Sequence, residues 1–328
     1  AEMLRGGTTC FADMYFYPDV AADAALEAGM RAQLAFPVID NPIPGARDST
    51  EAISRGLKLR DEIRHNPLIS VAFGPHSPYT VGDATLANVR MLADELEMPV
   101  HMHVHETAGE VSDALKLAGQ RPLQRLHALG LLTPRLQAVH MTQVNDEDLQ
   151  LLVENGVSVI HCPESNMKLA SGICPIQRLI EAGVNVALGT DGAASNNDLD
   201  MFGEMRTASL LAKSSTGSPT ALSAHQALHM ATLGGAQALG IASETGSIEV
   251  GKMADIPAVD LSGLVHQPVY HPVSQLLYTC NANQVSHVWV AGREKVRAGQ
   301  LMLPDQDGLL EAVSQWSQQI LQRDEDNA

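Results

Sequence analysis

The chain has 328 residues, 45% of them hydrophobic and 18% charged, with a formal net charge of -17. That composition excludes a disordered chain, and the length suits about two ordinary domains or one α/β barrel with an appendage. The acidic excess, 38 Asp+Glu against 21 Lys+Arg, opposes a polyanion-binding surface, and no apolar run approaches the roughly 18–20 residues of a membrane-spanning helix.

The opening segment, Ala1 to Gly7, reads as the last turn of a helix stopped by Gly6-Gly7, so further chain is expected upstream. A strand–helix alternation then runs to about residue 240. Strands are predicted at Thr8 to Tyr15, Ala32 to Ile39, Leu68 to Phe73, Pro99 to His105, Leu136 to Met141, Val157 to Cys162 and Val184 to Gly189. Helices are predicted at Asp19 to Gly29, Ser49 to Ile63, Asp83 to Leu96, Glu110 to Leu129, Asp146 to Asn155, Pro175 to Ala182 and Leu199 to Lys213. Repeated βα units imply a parallel sheet, because parallel strands need long crossovers. The strands are continuous apolar runs, as expected when both faces are covered.

An open doubly wound sheet concentrates its chemistry at one switch point, whereas a (β/α)8 barrel spreads it over the strand ends. Here polar residues end nearly every strand: Asp13, Asp40, His76, His103 with Glu106, His140, His161 and Asp191. That is the barrel pattern. Seven strands are counted where a barrel has eight, so the first strand is expected upstream of Ala1. From about residue 241 the texture turns to short β segments, around 246–260 and 285–293, with Pro257 marking an edge or bent strand. The expected organisation is a barrel over 1–240, a small β appendage over 241–303, and a C-terminal helix and tail over 304–328, with helix at Leu309 to Gln322 and a frayed end from Asp324.

The densest chemical signal is Pro99-Val-His101-Met-His103-Val-His105-Glu106. Residues two apart in a strand share a face, so the three histidines are expected to point one way. Neutral imidazoles converging inside a barrel suit a divalent metal. At least one of the three is expected to be structural instead. Thr190-Asp191-Gly192 places a carboxylate on a tight turn at a strand end, although such a sequence is often only a turn. His140 and His76 each end a strand, and in Ile160-His161-Cys162-Pro163-Glu164-Ser165-Asn166 the proline forces the chain out of strand geometry and leaves polar groups at the rim. His225 and His229 have metal-compatible i,i+4 spacing but are expected on an outer helix, and His65, His127, His266, His271 and His287 on the surface or in loops. Cysteines 10, 162, 174 and 280 form no C-x-x-C pair, and Cys162 lacks a base partner for a nucleophilic role. Scattered cysteines without a targeting segment fit a reducing, cytoplasmic setting.

One such residue per strand, in this order, resembles the amidohydrolase superfamily. The nearest branch is that of 5′-methylthioadenosine/S-adenosylhomocysteine deaminases and triazine chlorohydrolases. The strings MLRGGTTCFADMY, FGPHSPYT, PVHMHVHET, VHMTQ, HCPESNMKLASG, ALGTDGAASNNDLDMFGEM and GKMADIPAVDL carry the resemblance across essentially the whole chain. It implies that His103 and Asp191 bind one divalent metal, zinc first, with iron or manganese as alternatives. It implies Glu106 as proton shuttle, His140 as the group polarising water or substrate, and Asp191 also as general base. His76, Glu106, Asp191 and, in a variable loop, Arg47 would meet the substrate. The resemblance makes 1–240 a metal-dependent hydrolase barrel and 241–303 the C-terminal part of a small composite β-sandwich. The His-x-His strings at 101–105 belong to the family's fifth strand, so its first-strand His-x-His metal pair has no counterpart in the chain and is expected, with the strand itself, upstream of Ala1.

The implied reaction is hydrolytic deamination of an adenosine thioether to the inosine analogue and ammonia. The alternatives are a chlorohydrolase or another aminopurine, pyrimidine or triazine deaminase on the same site, and a non-catalytic scaffold of the same fold. The expected partner is a small molecule, not nucleic acid or membrane, and a homo-oligomer is left open. The zinc-deaminase signature H-x-E…P-C-x-x-C is absent.

Overall fold

The computed structural model describes residues 1–303 and 306–326. After a short helix α1 (Glu2–Arg5) come β1 (Cys10–Asp13), α2 (Pro18–Ala28), β2 (Arg31–Val38), α3 (Ser49–Ile63), β3 (Ile69–Pro75), α4 (Asp83–Glu95) and β4 (Val100–Val104). Helices α5 (Ala108–Ala118) and α6 (Pro122–Ala128) lead to β5 (Leu136–His140), α7 (Asp146–Asn155) and β6 (Ser158–His161). Then follow α8 (Pro163–Lys168), α9 (Ile176–Glu181), β7 (Val186–Leu188), α10 (Ala193–Asn196), α11 (Met201–Thr216), α12 (Ala224–Ala231) and α13 (Leu233–Ala238). The seven strands pair in parallel and in chain order, forming a curled sheet: a (β/α)8 barrel short of one strand, with β1 and β7 as its edges. All eight residues of β2 are buried, as in a strand covered on both faces, and its two polar members, Arg31 and Gln33, both have hydrogen-bond partners.

Helix–sheet contact is close. Gly56 of α3 lies on the Phe36 ring of β2, where a Cβ would sit 2.2 Å from a ring carbon. A polar layer closes the barrel floor. Gln137 of β5 donates to Gln33 of β2 at 2.6 Å and to the Ala238 carbonyl of α13 at 3.1 Å, and Gln33 donates to Leu239 at 3.1 Å. These side chains satisfy carbonyls at the end of α13, which would otherwise be buried without partners.

A separate antiparallel sheet contains β8 (Ile256–Val259), β9 (Val285–Val290), β10 (Arg293–Arg297) and β11 (Gln300–Leu301), in the order β11-β10-β9-β8. Pro257 sits in β8, an edge strand with a register shift beside it, as a residue lacking a ladder donor requires. Helix α14 (Pro272–Thr279) packs on α11 and α12, and α15 (Gln306–Asp326) ends the described chain. No helix among the described residues is long and apolar enough to cross a membrane.

Local expectations need several corrections. The stretch predicted as helical over 110–129 is two helices, divided where Gly119 adopts φ 68 and Pro122 starts α6. Helix α8 was not expected; Pro163 leaves the strand by starting a helix at its first position. The C-terminal helix extends to Asp326, past the expected frayed end at Asp324, and residues 327–328 lie outside the described residues. His266, expected on the surface or in a loop, is buried and bonds Thr279 at 2.8 Å.

Candidate active site

His101 and His103 of β4 and His105 just after it do not act as one face. His101 lies in the floor layer, its Nδ1 3.0 Å from Gln137 Oε1. Gln137's amide nitrogen already donates to two acceptors, so its oxygen accepts from His101 Nδ1–H. His105 departs from the expected common direction. It follows the last residue of β4 with φ 52, so the two-residue alternation no longer applies. Its fully buried ring lies under the helices, accepting from the Leu123 N–H at 3.2 Å and facing Asp148 at 3.8 Å. Burial lowers its pKa to about 4.

His103 faces the mouth of the barrel. Its Nδ1 is 2.8 Å from the His76 carbonyl, which can only accept, so Nδ1 carries the proton and Nε2 keeps its lone pair. A histidine oriented in this way is prepared to ligate a metal. Its ring stacks on His140 at 5.4 Å and lies 5.0 Å from His76. His140 Nε2 is 3.8 Å from Glu106 Oε2. The backbone N–H groups of His105 and Glu106 both donate to the Glu110 carboxylate, at 3.0 and 2.7 Å, and this anchors the strand end that carries Glu106.

Asp191 enters from the turn after β7. Its Oδ1 accepts from the Gly192 N–H at 2.7 Å and its Oδ2 from Ser165 Oγ at 2.7 Å. Burial pushes this carboxyl up, but hydrogen bonds from Ser165, Gly192 and Ser195 outweigh it and hold the pKa below the ordinary carboxylate value. Burial moves the imidazoles the other way: His140 falls to about 4, and His76 and His103 are also lowered, so all three are neutral near pH 7. His140 and Asp191 adopt φ 75 and 62, conformations that cost a non-glycine residue about 1–3 kcal/mol and that concentrate at functional sites.

The structure therefore brings His76, His103, Glu106, His140 and Asp191 together at the C-terminal ends of the strands. Arg47 stands apart from this cluster. It lies in the loop after β2 at the same end of the barrel, with its side chain 86% exposed and bonded to Glu51 at 2.9 Å. Cys162 is buried, and burial together with Asp191 raises its thiol pKa well above the ordinary value, so it is no nucleophile. His161 is buried with both ring nitrogens unpartnered, and burial takes its pKa down to about 3.

The donor set fits a divalent metal in kind: one imidazole with a free Nε2 and one carboxylate, both of them zinc ligand types. It is a partial set, since among the described residues no group of three or more His, Cys, Asp or Glu is arranged to hold a metal ion. The sequence left Ser165 and Asn166 as polar groups at the rim and Ser171 only within a family string, and it assigned none of them a role; the structure has them hydrogen-bond to Asp191, His140 and Glu106. Their signal was proline immediately after a strand, the usual opening of a helix that could carry them.

Residues 1–295 match the model of the amidohydrolase family. A 5-methylthioadenosine/S-adenosylhomocysteine deaminase of Teredinibacter turnerae is 52% identical over 320 residues, covering 98% of this chain and 72% of that protein. The crystal structure of an adenosine deaminase from Xanthomonas campestris with bound zinc superposes with a TM-score of 0.96 at 53% identity, covering 98% of this chain and 73% of that one. A zinc complex of atrazine chlorohydrolase from Arthrobacter aurescens superposes with a TM-score of 0.88 at 25% identity, over 95% of this chain and 74% of that one.

Proposed function

The chain belongs to the amidohydrolase family, and from that premise we propose that it deaminates 5′-methylthioadenosine and S-adenosylhomocysteine. Each turnover consumes one water and yields the inosine analogue and one ammonia. The protein is a metal-dependent hydrolase of C–N bonds acting on an adenine nucleoside; the thioether substrates, zinc as the metal and the residue roles are our reading. That reading also takes a cytoplasmic setting and a small-molecule substrate with no nucleic-acid partner. The observation that carries it is the meeting of His103, Glu106, His140 and Asp191 at one mouth of the barrel.

His103 Nε2 and Asp191 would hold the metal, which when bound lowers the pKa of a coordinated water from 15.7 to about 7. Asp191, ionised at neutral pH, accepts the proton of the attacking water. Glu106 delivers a proton to a ring nitrogen, which makes the amino-bearing carbon electrophilic, and a second proton transfer releases ammonia. His140, neutral and beside Glu106, donates a hydrogen bond to the oxygen being added. His76 lies against His103 at the mouth and meets the substrate. Arg47, on a βα loop at the catalytic end, would swing from Glu51 to the ribose or the thioether arm.

The experiment is ammonia release from a panel of 5′-methylthioadenosine, S-adenosylhomocysteine, adenosine, guanine and a chlorotriazine. It uses protein expressed from its complete reading frame with zinc supplied. Ammonia from the two thioethers is expected. Chloride from the triazine with no ammonia from either thioether would move the assignment to the chlorohydrolase alternative.

A further inference from the structure

Three groups given roles in the reaction above come from three different places in the barrel: Glu106 after β4, His140 at the end of β5 and Asp191 after β7. One stretch of seven residues reaches all of them. Ser165 Oγ donates to Asp191 Oδ2 at 2.7 Å, Asn166 Nδ2 lies 2.9 Å from His140 Nδ1, and Ser171 Oγ donates to Glu106 Oε1 at 3.3 Å. Ser165 and Asn166 are fully buried and Ser171 nearly so. The stretch is itself held from behind. The Glu164 N–H donates to Glu204 Oε2 at 3.4 Å, Thr207 of α11 donates to Glu164 at 2.7 Å, and Asn196 of α10 donates to Glu204 at 2.6 Å. It is a platform packed on two neighbouring helices, not a free loop.

We propose that residues 165–171 are a positioning unit for the reaction, and that within it Asn166 sets the tautomer of His140. An amide nitrogen only donates, so His140 Nδ1 must accept and the ring proton sits on Nε2. The other side of the ring agrees, because Nε2 faces Glu106 Oε2, an acceptor, at 3.8 Å. His140 therefore presents an N–H toward the site. It acts as a fixed hydrogen-bond donor and not as a base. Ser171 occupies one oxygen of Glu106 and so leaves the other directed at His140, while Ser165 fixes the oxygen of Asp191 that does not meet Gly192.

This inference rests on the proposed deaminase reading for its kinetic consequence, but the tautomer can be read without substrate. The first measurement is the ¹⁵N spectrum of histidine-labelled protein near pH 7.5, with His140 assigned by its loss in His140→Gln. The expected signature is a protonated Nε2 and an unprotonated Nδ1. A proton on Nδ1 overturns the proposal, whatever the kinetics. The second measurement uses Asn166→Asp, which keeps the shape but offers only acceptors. It should move the proton to Nδ1 and lower kcat by about 10²–10³-fold, the usual consequence of losing one preorganised donor, with KM nearly unchanged. An Asn166→Asp protein that melts like its parent and keeps its kcat overturns the kinetic role. If no adenine nucleoside is deaminated while Nε2 carries the proton, the substrate assignment fails and the tautomer assignment stands.

Discussion

Arg31 opens β2, and its guanidinium crosses from the barrel to the small sheet. Its Nε lies 2.8 Å from Asp255 Oδ2, and the two side chains are 5% and 0% exposed. Arg31 also donates to the Pro67 carbonyl at 3.0 Å, and Asp255 accepts the Ala291 N–H at 2.5 Å. Replacing Arg31 by Met keeps most of the volume but leaves a buried carboxylate with one backbone donor. Breaking a buried pair in this way costs about 3–5 kcal/mol, because the remaining charge is uncompensated. At about 2.1 cal/mol/K of unfolding entropy per residue, a chain of 328 residues should lose about 4–7 °C of thermal midpoint. Circular dichroism melts at neutral pH would measure it. Arg31→Met combined with Asp255→Leu should recover part of the loss, the shortfall coming from the Ala291 N–H left without an acceptor. A single variant melting within about 1 °C of its parent would refute the claim that this pair joins the two sheets.

Glu106→Gln removes the proposed shuttle but keeps an acceptor for Ser171, so kcat should fall by about 10²–10⁴-fold with the melting curve unchanged; steady-state kinetics on 5′-methylthioadenosine checks it. Acid should destabilise the protein. His105 and His161, lowered by burial to about 4 and about 3, stay neutral in the fold but charge in the unfolded chain below pH 6.5, so stability falls as pH drops through that window. Glu204 acts with the opposite sign. Burial, then the nearby Glu164, raises it to about 8, so its contribution is lost as pH rises through 8, and Glu204→Gln should flatten the alkaline limb in urea titrations at pH 5, 7 and 9. The chain should not retain zinc through a desalting column, because among the described residues only His103 and Asp191 are offered as donors; stoichiometric metal by elemental analysis would overturn this.

The amino-acid sequence by itself determined the architecture. Parallel strands covered on both faces must be apolar throughout, so seven short hydrophobic runs between amphipathic helices admit few arrangements, and a polar residue at nearly every strand end selected the curled one. The sequence also marked Asp191 and His140, whose places at strand ends follow from that alternation. The family resemblance singled out His103, but the strand pattern alone could not rank His101, His103 and His105, because the two-residue period holds only while the backbone stays extended. His105 turns away at φ 52, and His101 is taken into the floor by a glutamine from another strand. Nor could it reveal α8, since six residues are too few to carry a helical period. Which nitrogen of His140 bears its proton depends on Asn166, 26 positions away, and His103 owes its free nitrogen to the His76 carbonyl, 27 positions away. Those assignments exist only once the strands lie side by side, because a hydrogen bond is decided by distance in space and a sequence records only order along the chain.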